Sequence, residues 1–154
     1  MTGKFLRCAV FALGLTIVAG GWLSPILAAR DDAGNSDEIA RRGEAHTHLM
    51  RSLLLMRRNE FTAASAEIRK ALELQPDSVE LHVQGAILLA RMGRRAHAEE
   101  LGRRALEIAP DDPEAVRFLA DLAFERLHSA GRPDPASHAE AVRLYERLVA
   151  LEME

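Results

Sequence analysis

Apolar and polar positions along most of this chain recur with the spacing of amphipathic helices. Within residues 61–74, Ala64, Ile68, Ala71 and Leu72 follow the i, i+4, i+7, i+8 pattern of one buried helical face. No stretch sustains the alternation of period two that indicates a strand. The pattern therefore predicts an all-α fold of six helices, covering about residues 37–58, 61–74, 79–92, 96–108, 113–128 and 135 onward.

The residues between these segments predict where the helices begin and end. Asn59 and Gly93 follow apolar segments, and both residue types accept the left-handed conformation at a helix end. Asp77 or Ser78 is expected to cap the third helix. Asp112-Pro113 combines a capping carboxylate with a proline at the first helical position, so the fifth helix should begin there.

Two of the predicted helices repeat one another in sequence. Residues 64–77 align with residues 98–111 without a gap, at the 34-residue offset that separates Pro76 from Pro110. Alanines, an arginine, a leucine, a glutamate, the proline and an aspartate recur at equivalent places. A fixed period of this length indicates stacked supersecondary units.

The first thirty residues have a different composition from the rest of the chain. Lys4 and Arg7 precede an uncharged run from Cys8 to Ala29, which is typical of an export signal. An uncleaved membrane anchor is the alternative, because a run of this length could just span a bilayer. In either case the sequence predicts three parts: a signal peptide or anchor over 1–29, a polar linker over 30–36 and a helical domain over 37–154.

The composition adds few constraints to this picture. Only 5% of the residues are aromatic and the net charge is −3, so nucleic acid is not an expected partner. The single cysteine, Cys8, lies inside the predicted signal, which leaves the remainder without thiol chemistry. Stability must therefore come from helix packing.

A 34-residue helix–turn–helix unit that ends in proline resembles the tetratricopeptide repeat. The resemblance implies three stacked antiparallel hairpins, an α-solenoid with repeats at about 45–78, 79–112 and 113–154, the third with an insertion near 129–138. It also implies small residues where the helices of the hairpins cross. By the register of the family, these are Ser52, Ala64, Ala71, Ala86, Ala98, Ala105 and Ala120.

The resemblance further implies a concave groove lined by the first helix of each hairpin. We expect it to be apolar in its first two units and acidic in the third, which suits an amphipathic helix or an extended peptide with a basic end. Some family members grip a carboxylate with lysine and asparagine at such positions, where this chain has Leu49, Leu53 and Ile87. The principal expected groove residues are Leu49, Leu53, Met56, Val83, Ile87, Arg91, Arg117, Asp121 and Phe124.

No catalytic, metal or cofactor site is predicted. The sequence has no glycine-rich phosphate loop and no nucleophile elbow, and the acidic first turns are explained by the helix dipole. His48 and His82 stand at equivalent places in adjacent units, and we interpret both as semi-buried side chains with a backbone hydrogen-bond partner. The chain is predicted not to be an enzyme.

The sequence thus predicts an exported adaptor that binds another protein, in the periplasm or on the periplasmic face of the inner membrane. A role in envelope assembly is inferred by analogy from the predicted fold and the predicted export. Two alternatives stay open. The chain could self-associate through its last helix, where Leu144, Leu148 and Leu151 are expected to form an apolar edge, or it could be the front part of a longer array.

Overall fold

A computed structural model of the protein describes residues 24–129 and 135–153, with side chains described for residues 34–128 and 135–153. These residues form six helices and no strand, as the sequence predicts. The chain divides into two units between Ser36 and Asp37, and the second unit is described below. The helices are α1 (Ser24–Arg57), α2 (Phe61–Leu74), α3 (Val79–Arg91), α4 (Arg95–Ile108), α5 (Pro113–Ser129) and α6 (Pro135–Glu152).

Helix α1 begins earlier than the sequence indicates. The predicted linker over residues 30–36 is helical, so no new helix begins at residue 37. No proline follows Pro25 in this stretch, and the cost of Gly34 in a helix, about 1 kcal/mol, does not interrupt it. Polarity alone was therefore a poor indicator of a helix boundary here.

The predicted signal or anchor segment lies largely outside the described residues. Within the described ranges, no helix is both long enough and apolar enough to cross a bilayer. The predicted break over residues 129–133 likewise falls mostly on residues outside the description.

The other helix ends agree with the sequence. Asn59 and Gly93 have positive φ angles of 61° and 76°, in the left-handed region expected at these turns. The Ser78 hydroxyl accepts a hydrogen bond from the Leu81 amide at 3.4 Å, and the Asp112 carboxylate accepts one from the Ala115 amide at 2.8 Å. Side-chain oxygens at these positions satisfy amides that a helix N-terminus leaves unpaired.

The hairpins nest through the predicted small residues. Consecutive helices pack against one another, and α3 also contacts α5. Every small residue expected at a helix crossing is fully buried, with 0% of its surface exposed. These residues are Ser52, Ala64, Ala71, Ala86, Ala98, Ala105 and Ala120.

Two glycines, Gly85 and Gly102, allow equally close contact between neighbouring helices. A Cβ atom on Gly102 of α4 would lie 2.9 Å from Cδ2 of Leu119 and 3.0 Å from Cδ1 of Phe118, both on α5. A Cβ on Gly85 of α3 would lie 3.0 Å from Cδ1 of Leu101. The missing side chains therefore make room for bulky neighbours on the adjacent helix.

Polar contacts attach α6 to the rest of the domain. The Arg147 guanidinium donates to the Pro110 carbonyl and pairs with Asp111 at 3.0 Å, which fixes α6 to the turn between α4 and α5. The Tyr145 hydroxyl donates to Asp121 at 2.8 Å. Burial, and then this hydrogen bond, raise the pKa of Tyr145, so the phenol stays protonated as the donor.

Candidate partner-binding groove

An open groove lies between the first two odd-numbered helices, at the place the repeat resemblance implies. It encloses about 550 Å³ between α1 and α3. Its walls are mainly apolar, with arginines at one end. The lining residues are Met50, Leu53, Leu54, Met56, Arg57, Gln84, Ile87 and Arg91.

A second depression of about 270 Å³ continues this surface from α3 to α5. Ile87 and Arg91 line both depressions, so the two form one continuous surface, which we call the α1–α3–α5 groove. The part on α5 carries two carboxylates, Asp121 and Glu125. The groove therefore changes from apolar to acidic along its length, as expected.

Five of the nine expected groove residues line this surface: Leu53, Met56, Ile87, Arg91 and Asp121. Each of these residues lies on a side of α1, α3 or α5 that lines one of the two depressions.

The structure places the other four expected residues elsewhere. Leu49 and Val83 are 1% and 2% exposed and belong to the core. Leu49 clusters with buried residues of α2 and α3, and Val83 clusters with Ala105 of α4 and Ala115 of α5. Arg117 is directed to α6, where it pairs with Glu152. Phe124 lines a pocket between α5 and α6, where its ring contacts His128 at 4.2 Å and Tyr145 at 6.4 Å between centroids.

Sequence reasoning missed the two most exposed apolar residues of the groove. Met50 is 41% exposed and Leu54 is 57% exposed, and both project from α1. Exposed apolar side chains that lie together commonly mark a binding surface. The signal was present, since residues 53–56 make α1 apolar over more than one stripe, which a single buried face does not require.

The carboxylates of the groove have polar partners within the domain, whereas its two arginines form no ion pair with a described residue. Asp121 accepts from the Tyr145 hydroxyl, and Glu125 lies 3.5 Å from Arg95. Arg57 and Arg91 are exposed and form no ion pair with any residue that the structure describes. Two guanidinium groups thus remain available beside the apolar part of the groove.

The two histidines singled out in the sequence have structural partners. His82 is buried, and its Nε2 lies 2.8 Å from the Pro76 carbonyl, which ties α3 to the preceding turn. The partner of His48 is a side chain and not the expected backbone group: its Nδ1 lies 2.7 Å from an oxygen of Glu67, which links α1 to α2. In the described ranges, no three metal-ligating side chains lie close enough together to hold an ion.

Glu67 receives two charge-assisted contacts. Its carboxylate accepts from the Lys70 ammonium at 2.8 Å as well as contacting His48. The hydrogen bond from Lys70, and then that from His48, lower the pKa of Glu67 from 4.5 to about 2. Because the folded-state pKa is depressed, this carboxylate stabilises the fold above pH 4.5, and the contribution is lost as the pH falls toward 2.

We expect Glu67→Gln to lower the free energy of unfolding by about 1 kcal/mol at pH 7 and by almost nothing at pH 2. Urea unfolding followed by circular dichroism at several pH values measures this difference. Glu73→Gln, at an exposed position on the same helix, is the matched control and should change little. An equal effect of Glu67→Gln at both pH values would contradict the assignment.

Comparison with known proteins confirms the predicted fold. No family model and no curated protein matches the sequence, but solved structures do. MamA is 15% identical, with a TM-score of 0.61 over 71% of this chain and 59% of that chain. The tetratricopeptide-repeat domain of Sgt2 from Aspergillus fumigatus is 20% identical, with a TM-score of 0.61 over 72% of this chain and 68% of that chain.

A third similar structure contains a ligand. The first tetratricopeptide-repeat domain of Spaghetti (RPAP3), bound to the HSP90 peptide SRMEEVD, is 18% identical, with a TM-score of 0.60 over 73% of this chain and 82% of that chain. At these identities the likeness shows the fold alone. The described helices therefore have the tetratricopeptide-repeat fold.

Proposed function

We propose that the α1–α3–α5 groove binds an amphipathic segment of another protein. The observation that carries this proposal is the exposed apolar surface of Met50 and Leu54, continuous with half-buried Leu53 and Ile87. An amphipathic helix or extended strand could bury its apolar side chains against these residues, and burial of apolar surface is the main driving force of such association.

The charges favour a particular chemistry for the bound segment. A carboxylate beside its apolar residues would pair with Arg57 or Arg91, whereas a basic end would lie near Asp121 and Glu125 on α5. Complementary charges of this kind fix the direction of a bound segment more than they raise its affinity. The groove thus suits a segment that is acidic at the α1–α3 end and basic at the α5 end.

We do not expect a free C-terminal carboxylate to be the recognised group. Leu53 and Ile87 occupy places where family members that bind acidic tails have polar clamp residues. The peptide SRMEEVD, which the RPAP3 domain binds, is therefore a suitable negative control.

Affinity capture from an extract of the producing cells tests the binding function. The full chain is the bait, beside a variant with aspartates in the groove. We expect a specific protein to be retained by the native chain, lost with the groove variant and unaffected by excess SRMEEVD peptide. Retention of the same protein by both baits would contradict the proposal.

We also propose that residues 1–29 export the chain, so that the groove acts outside the cytoplasm during envelope assembly. Two basic residues ahead of a long uncharged run support export. Binding without a catalytic role is part of the same proposal. It rests on the chemistry of the groove, where apolar side chains, two guanidinium groups and two engaged carboxylates provide surfaces and charges for recognition.

A reporter enzyme that is active only outside the cytoplasm, fused after the last residue of the full chain, tests the export proposal. We expect activity with the native sequence and none when Leu15→Arg and Val18→Arg interrupt the apolar run, because charges there oppose membrane insertion. Leu54→Arg, outside the segment, is the control and should leave activity unchanged. Equal activity of the native fusion and the doubly charged variant would exclude export by this segment.

A further inference from the structure

The outward side of α6 carries two exposed valines. Its inward residues, Ala141 and Leu148, are buried, whereas Val142 and Val149 are 41% and 56% exposed. Of the leucines expected to form an apolar edge, Leu148 is buried, and Leu144 and Leu151 are only partly exposed. Six exposed residues share the outward side by helical periodicity: Ala139, Val142, Arg143, Glu146, Val149 and Ala150.

The charged residues of α6 fall into two groups. Glu140, Arg147 and Glu152 each form an ion pair with a residue outside α6, at 2.5 Å, 3.0 Å and 2.5 Å. Arg143 and Glu146, on the outward side, form no ion pair with any described residue, including each other. This side therefore combines exposed valines with one cation and one anion that the domain itself leaves unused.

The order of these residues is self-complementary. Consider two antiparallel copies of α6 related by a two-fold axis that passes between positions 144 and 145. Arg143 of each copy then stands opposite Glu146 of the other, and the small Ala139 stands opposite Ala150. A two-fold interface requires this relation, in which residue i meets residue j and j meets i.

We propose that the outward side of α6 is a homodimer interface, with a second copy of this chain as its partner. Val142 and Val149 bury their exposed surface beside the paired alanines, whose small side chains let the helices approach closely. The two symmetric Arg143–Glu146 pairs set the register and the antiparallel direction. The interface uses α6 and not the α1–α3–α5 groove, so the dimer leaves the groove of each copy open.

Light scattering and sedimentation of the full chain over a range of concentrations test the dimer. We expect twice the mass of the single chain at high concentration, and a single-chain mass for a variant with Val142→Glu and Val149→Glu. Leu54→Glu, which changes an exposed apolar residue in the groove, is the control and should leave the dimer intact. Circular dichroism verifies that each variant is folded.

The charge pairs provide a sharper test of the register. Arg143→Glu alone, or Glu146→Arg alone, should weaken the dimer about tenfold, because each replaces two attractions by two repulsions across the axis. The double swap should restore the native affinity. Self-association that survives the two valine substitutions, or a double swap no better than the single ones, would overturn the proposal. The first outcome would instead point to association through the apolar N-terminal run.

Discussion

Met50→Asp together with Leu54→Asp is expected to abolish partner capture. Both side chains project from α1 into the groove with large exposed apolar surfaces, so they are the candidates for the residues that dominate binding. Anchors of this kind commonly contribute about 2 kcal/mol or more each, which corresponds to about a 30-fold loss of affinity per substitution. The two substitutions together should remove detectable retention.

These positions are better test sites than Leu53 and Ile87. The latter are half-buried and pack against the core of the first hairpins, so an aspartate there would reduce stability as well as binding. Ile39→Asp is the matched control, because Ile39 is also an exposed apolar residue of α1, at 62%, and does not line the groove. Undiminished capture by the Met50→Asp, Leu54→Asp variant would exclude the groove as the binding surface.

Ala64→Leu combined with Ala98→Leu is expected to give the largest loss of stability. Both alanines are fully buried where a hairpin packs, and a leucine there would push the helices apart. Overpacking of this kind costs about 1–3 kcal/mol per site, and the two sites lie in different hairpins, so the losses should nearly add. Urea unfolding followed by circular dichroism gives the free energy of unfolding.

The chain supplies matched controls for this pair. Ala63 and Ala96 are exposed alanines of α2 and α4, so leucine at these sites keeps the helix propensity and adds no buried volume. Ala63→Leu with Ala96→Leu should change stability by less than about 0.5 kcal/mol per site. Similar losses in both double variants would mean that the buried alanines do not set the distance between helices.

The sequence predicted most of the fold because the residues that mark helices and their ends act locally. Residues that accept the left-handed conformation, such as Asn59 and Gly93, and a capping residue such as Asp112, mark helix ends without reference to the rest of the chain. The register of the repeat then located seven small residues that the structure buries completely, from Ser52 to Ala120. The start of α1 was not recovered, because a polar stretch without proline can continue a helix or interrupt it.

The candidate site was recovered only in part because a groove depends on distant neighbours. Helical periodicity shows which residues share a side, but not how much of that side adjacent helices cover. Leu49 and Val83 were thus expected at the surface and lie in the core, whereas Met50 and Leu54 were missed. Contacts between residues far apart in sequence, such as Arg117 with Glu152, follow from the packing of α6 and leave no local pattern.

Site-specific photocrosslinking of the full chain tests the central claim most directly. A photoreactive residue replaces Met50, Leu54 or Arg91 in the groove, or Arg69 or Glu100 on the exposed sides of α2 and α4. If stacked hairpins form a groove that binds another polypeptide, the three groove positions will yield the same adduct and the α2 and α4 positions will yield none. Adducts of that protein from Arg69 and Glu100, with none from the groove, would contradict the account.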